Sequence, residues 1–270
     1  MPEESCIGCV DMQTVTVKNI TVGGGKTAIC APLMGRTADE LRAELAMAVT
    51  QKPDMLEWRA DYFEHACDAA ACVAVLQLFR NEMPEMPVLF TLRAAAEGGA
   101  QDIPRTVARQ VYSAVCSAGL VDIVDIERAN HHGFLRDVMD GARQAGVKVI
   151  LSAHNFNETP APNILVKMLL DAQELEPDFV KIAVMPNAPE DVLSLLFALE
   201  TFTRGQALVP AIAIAMGNMG IITRAAGGLF GSAVTYASLG ENAATAPGQI
   251  NVAALRSAMR LLTRDSVLEA

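Results

Sequence analysis

From Thr27 onward the chain repeats one unit, a short apolar run followed by a helical pattern, and this repetition leaves few folds open. The apolar runs fall at 27–33, 55–59, 88–92, 121–126, 148–152, 179–184, 211–215 and 232–236. Helical patterns occupy 38–50, 69–81, 104–118, 132–145, 161–175, 189–204, a short stretch near 221–227, and 253–263 after the last run. Strands that alternate with helices pair in parallel through right-handed crossovers. Eight such units within 270 residues predict a closed (β/α)8 barrel of the TIM type rather than an open doubly wound sheet. Ahead of them, 14–22 alternates polar and apolar residues around Lys18-Asn19 and ends at Gly23-Gly24-Gly25, the pattern of a small hairpin. The glycine triplet lacks the Lys-Ser/Thr of a phosphate loop and opens no helix, so it reads as a connection. The expected organisation is a flexible N-terminal extension over 1–13 and one barrel domain with its hairpin over 14–270.

One strand carries a residue that does not belong in a core. Asp178-Phe179-Val180-Lys181-Ile182-Ala183-Val184-Met185-Pro186 is apolar on both faces, as buried parallel strands are, except for Lys181. Alternation puts Phe179, Lys181, Ala183 and Met185 on one face, so the lysine points into whatever the sheet encloses. Removal from water favours the neutral form of an amine, and a neutral amine attacks carbonyl carbon. A lysine so placed could equally be paired with a buried carboxylate or snorkel to the strand end.

Hydrophobic residues make up 51% of the chain and charged residues 19%, yet no uninterrupted apolar run is long enough to cross a bilayer. The N-terminus, Met1-Pro2-Glu3-Glu4, is acidic and lacks the apolar core of a signal peptide, so a cytoplasmic protein is expected. A formal net charge of -10 argues against nucleic acid and anionic membrane as partners, while a few gathered arginines could still bind an anionic small molecule. Cysteines at 6, 9, 30, 67, 72 and 116 follow no regular spacing and read as free thiols. Cys6 and Cys9 form a C-x-x-C pair with no second pair or nearby histidines, a poor match to a metal site.

Face parity identifies the lysine's neighbours. Glu57, Arg59 and Asp61 share one face, opposite Leu56 and Trp58. Thr91 aligns with Arg93, Asp125 with Glu127, and Ser152 with His154, always at the C-terminal end of the strand. In a barrel those ends form the rim on which active sites are built. The rim therefore offers Lys181, His154, Glu57, Arg59, Arg93 and Asp125, with Glu97 on the following loop, and no pair of histidines at metal spacing. His65, His131 and His132 read as exposed. A lysine beside a histidine without a metal predicts imine catalysis on a ketone or aldehyde, the imidazole moving protons. Two alternatives remain at this point. One is an aldolase-like lyase, with Gly227-Gly228 and Gly231 as a phosphate site. The other is a silent barrel that binds a metabolite, although a binder needs no acid–base group beside an amine.

Glu57-Trp58-Arg59-Ala60-Asp61, Phe90-Thr91-Leu92-Arg93 with Glu97-Gly98-Gly99, Ser152-Ala153-His154-Asn155-Phe156, Lys181-Ile182-Ala183-Val184-Met185-Pro186 and Ala246-Pro247-Gly248-Gln249 resemble, in order, the motifs of the type I 3-dehydroquinate dehydratases. The resemblance covers roughly residues 14–262. It implies a TIM barrel, dehydration of 3-dehydroquinate to 3-dehydroshikimate in the shikimate pathway, an imine on Lys181, His154 as general acid/base, and no cofactor. Glu97 would orient His154. Glu57, Arg59 and Arg93 would bind the hydroxyl and ketone end, Arg224, Thr245 and Gln249 the carboxylate side, with Met216 as an apolar wall. A homodimer is implied as well. Asn155 stands where the family usually has aspartate, and Thr245 where it has serine.

Overall fold

The computed structural model describes residues 13–240 and 250–262. Two strands, β1 (Thr14–Val17) and β2 (Ile20–Gly23), form an antiparallel hairpin. Eight parallel strands follow: β3 (Ala28–Leu33), β4 (Met55–Arg59), β5 (Val88–Thr91), β6 (Ile123–Glu127), β7 (Lys148–Asn155), β8 (Phe179–Val184), β9 (Ala211–Ala215) and β10 (Val234–Tyr236). Neighbours in sequence are neighbours in the sheet, and β10 pairs back onto β3. The remaining seam, β9 to β10, is bridged at Ala211 and Ser232, with the Ala233 amide donating to the Ala211 carbonyl at 2.8 Å. The sheet is thus a TIM barrel.

Helices α1 (Ala38–Gln51), α2 (Ala69–Glu82), α3 (Arg105–Ser117), α4 (His132–Gln144), α5 (Pro162–Gln173), α6 (Pro189–Gly205), α7 (Ile221–Ala226) and α8 (Val252–Leu262) lie between or after the strands. Their starts are written locally. Thr37 caps α1 through the Glu40 amide, Asp68 caps α2 through the Ala70 and Ala71 amides, and the exposed His131 caps α4 through the Phe134 amide. At α6 the Asp191 carboxylate reaches back to the Asn187 and Ala188 amides.

Strand alternation divides the core in two. Leu56, Trp58, Val124, Val180 and Ile182 face outward into the layer beneath the helices. Met55, Leu89, Ile123, Ile150, Phe179 and Ile212 face inward and fill the lower lumen, where Val17 and Val22 of the hairpin stop its N-terminal end. Register is held at that end by a recurring aspartate. Asp54, Asp122 and Asp178, each just before a strand, accept from the Ile29, Val88 and Val149 amides of the preceding strand at 2.7, 2.8 and 2.8 Å. With register fixed below, Glu57, Asp125 and Lys181, each three positions after its aspartate, come out level toward the upper rim.

Candidate active site

Lys181 is 6% exposed, and its ammonium nitrogen lies in the lumen with two oxygen neighbours. It donates to Asp125 Oδ2 at 2.8 Å and to the Tyr236 hydroxyl at 3.0 Å. The other Asp125 oxygen faces Arg93 Nη2 at 2.9 Å and accepts from Ser152 Oγ at 2.5 Å. Arg93 Nη1 donates to Glu127 Oε1 and to Ser152 Oγ, both at 3.0 Å. Two cations and two carboxylates are therefore buried together. Burial alone would push the Asp125 carboxyl up, but Arg93 and Lys181 outweigh it and hold the group well below its ordinary 3.8. Both readings of the sequence thus meet in one residue: Lys181 is paired with a buried carboxylate and also opens onto a pocket.

His154 reaches the rim because β7 runs on through Asn155, past the predicted end at 152, held by pairing of His154 with Ala183 and Asn155 with Val184. Its Nδ1 lies 2.8 Å from Glu97 Oε2, and its backbone amide donates to the same oxygen at 3.2 Å. Burial, with Arg93 and Lys181 adding positive charge, holds the imidazole well below its ordinary 6.5. Burial also raises the Glu97 carboxyl from 4.5 to about 7. A neutral imidazole that gives its Nδ1 hydrogen to the Glu97 carboxylate keeps Nε2 as an open base.

Glu97 comes from a short turn rather than a strand. Residues Ala95–Glu97 make one 3-10 turn that ends at Gly98, whose φ of 82° lies in the left-handed region. Gly98 also carries Phe156, since a Cβ there would sit 2.5 Å from its ring. The Phe156 ring in turn stacks on His154 with 6.4 Å between centroids and 21° between planes. The His154 imidazole, the Glu97 carboxylate and the turn are clamped as a unit.

Arg59 is gripped at Nε and Nη2 by the fully buried Asp61, each at 2.8 Å, and lies over the Tyr62 ring. Asp61 also accepts from the Arg93 and Ala100 amides, tying the loop after β5 to the end of β4. Glu57 accepts from Thr91 Oγ1 at 2.7 Å. Arg224 of α7 is buried near the Tyr236 carbonyl, and burial brings its guanidinium down to about 10.

Lys181, His154, Glu97, Glu57, Arg59, Arg93, Met216 and Arg224 line a single pocket of about 130 Å³, open to solvent at the rim. Thr245, Gln249, Cys6 and Cys9 lie outside the described residues. The pocket also takes in Tyr62, Phe156 and Tyr236, which sequence reasoning did not select. The available signal for Tyr236 was its position in the last strand, two residues after Val234 and so on the same face. Gly228 and Gly231 pack against Thr27 and Thr203 toward the N-terminal end of the barrel, away from the rim, so the phosphate-site alternative loses its support. Among the described residues no cluster of three or more His, Cys, Asp or Glu is placed to hold a metal ion. No described helix is long and apolar enough to cross a membrane.

The model of the type I 3-dehydroquinase family matches residues 29–266. A 3-dehydroquinate dehydratase from Klebsiella pneumoniae subsp. pneumoniae is 41% identical over 249 residues, 92% of this chain and 98% of that protein. Among solved structures, the type I 3-dehydroquinate dehydratase of Clostridium difficile with covalent modified comenic acid superposes with a TM-score of 0.89 at 37% identity, covering 93% of this chain and 98% of that one. The Geobacillus kaustophilus 3-dehydroquinate dehydratase gives the same TM-score and identity over 95% of this chain and 98% of its own. Matched along nearly its whole barrel, the chain belongs to the type I 3-dehydroquinase family and is a hydro-lyase of that type.

Proposed function

We propose that the chain converts 3-dehydroquinate to 3-dehydroshikimate and water through an imine on Lys181, with His154 carrying the proton from C2 to the departing hydroxyl. The amine form of Lys181 adds to the C3 ketone, and loss of water leaves an iminium that draws electrons from C2. Neutral His154 removes the C2 proton, forming an enamine. The imidazolium then protonates the departing C1 hydroxyl, the ring double bond forms, and hydrolysis frees the amine. A single base that takes one proton and returns it to the leaving oxygen acts on one face of the ring, which makes the elimination syn. The observation that carries this reading is the placement of a buried lysine in the same pocket as a histidine oriented by a carboxylate at 2.8 Å. Lys181→Ala is expected to abolish turnover while retaining substrate binding by calorimetry, and turnover by that variant would overturn it.

In this account Glu97 orients His154, while Glu57, Arg59 and Arg93 hold the hydroxyl and ketone end. Arg224, with Thr245 and Gln249, takes the carboxylate, and Met216 forms an apolar wall. The net charge of -10 is set against nucleic acid, and no cofactor is called for. Residues 14–270 serve as one catalytic unit. The free thiols Cys30, Cys67, Cys72 and Cys116 fit a reducing cytoplasm. We also infer a homodimer, for which the exposed apolar side chains Leu193 and Phe197 of α6 and Ile222 of α7 offer contact area. Sedimentation at micromolar concentration tests it, and a monomer would refute it.

A further inference from the structure

We propose that Tyr236 is a further catalytic residue, relaying a proton from the Lys181 nitrogen to the ketone oxygen as the carbon–nitrogen bond forms. The inference rests on the imine reading above. Tyr236 ends β10, beside Cys30 of β3, and its ring lines the pocket. Its hydroxyl oxygen accepts from Lys181 Nζ at 3.0 Å, and Nζ lies 4.8 Å from the ring centroid. Among the described residues, the phenol's own hydrogen is given to no acceptor, and Asp125 occupies a different hydrogen of the ammonium group. The oxygen of a ketone attacked by Nζ lies one bond angle from that nitrogen, within reach of a hydroxyl already 3.0 Å from it.

The step balances without any further reactant. The nitrogen lone pair forms the bond to C3, and the carbonyl π pair moves to oxygen. The phenol gives its hydrogen to that oxygen and takes one from the nitrogen. The product is a neutral carbinolamine, and the phenol is unchanged. A relay of this kind suits a hydroxyl that burial, together with Glu57 and Cys30, keeps firmly protonated, because no free phenolate appears. Asp125 cannot take this part, since its carboxylate has no hydrogen to give.

Tyr236→Phe keeps the ring and removes only the hydroxyl. The full chain would be mixed rapidly with 3-dehydroquinate, quenched with borohydride at successive times, and weighed by intact-mass spectrometry. Expected is the same final adduct on Lys181 as in the unsubstituted enzyme, approached about tenfold more slowly, the scale of one lost hydrogen bond. Elimination from the formed imine, followed as enone absorbance, should keep its rate. Equal rates of adduct formation would overturn the proposal. Absence of an adduct in the unsubstituted enzyme would overturn the imine reading and the relay together, which separates the two failures.

Discussion

Asp125 and Lys181 meet at 2.8 Å in the barrel lumen although 56 residues separate them in sequence, and Arg93 closes on the other face of the same carboxylate at 2.9 Å. Lys181 is therefore held in a network whose charges balance only while all its members are present.

Asp125→Asn leaves Lys181 and Arg93 buried with one carboxylate fewer. Removing one partner of a buried ion pair costs about 3–5 kcal/mol, so the urea midpoint of unfolding should fall markedly. An unchanged midpoint would show that the network does not hold the barrel together. The sign with pH follows from the depressed Asp125 carboxyl. Its contribution is complete above the ordinary 3.8 and is lost as pH falls toward the native value, so acid should weaken the unsubstituted enzyme more than the variant.

Glu97 must be ionised to accept the Nδ1 hydrogen of His154. Because burial raises its carboxyl to about 7, kcat/KM should fall on the acid side with a midpoint near that value. Glu97→Gln should lower kcat by about 10²-fold, the low end of what a positioned acid–base group contributes, and remove that limb of the profile. A Glu97→Gln profile that retains the limb would assign it elsewhere.

Gly98→Ala and Gly119→Ala form a matched pair. Both positions have positive φ, 82° and 66°, so each substitution carries backbone strain of about 1–2 kcal/mol. Only at Gly98 does the new methyl meet a side chain, Phe156; at Gly119 nothing lies within 4 Å. Both variants should melt somewhat earlier, but only Gly98→Ala should lose kcat, by displacing the turn that carries Glu97. Equal kcat values would mean that the Gly98–Phe156–His154 stack does not set the base.

Arg224→Ala should raise KM far more than it lowers kcat, by roughly 10–100-fold for a lost charge-assisted hydrogen bond to the substrate carboxylate. Steady-state kinetics distinguishes this from a loss confined to kcat, which would contradict the assignment.

Strand order and inward faces were readable because period-two alternation survives burial: Lys181, Asp125, Arg93 and Glu57 all stand in the lumen as parity predicts. Ends were less legible. The predicted strand at 121–126 is observed as Ile123–Glu127, since Asp122 is spent on the Val88 amide, and the strand at 148–152 continues to Asn155 through its pairing with β8. The site divides the same way. Residues on strands follow from alternation, whereas Glu97 sits on a single 3-10 turn with no period; its place on the loop put it at the rim, and its role beside His154 came from the motif resemblance. Phe156 and Tyr236 look like ordinary core aromatics until the turn at Gly98 and the closure of β10 on β3 bring them to His154 and Lys181.

The imine is the centre of the account. Incubation with 3-dehydroquinate, reduction with borohydride and peptide mass spectrometry should place one substrate-derived adduct on Lys181, and His154→Ala should give the same adduct with little enone released. No adduct on Lys181 in the active enzyme, or near-normal turnover by His154→Ala, would contradict it.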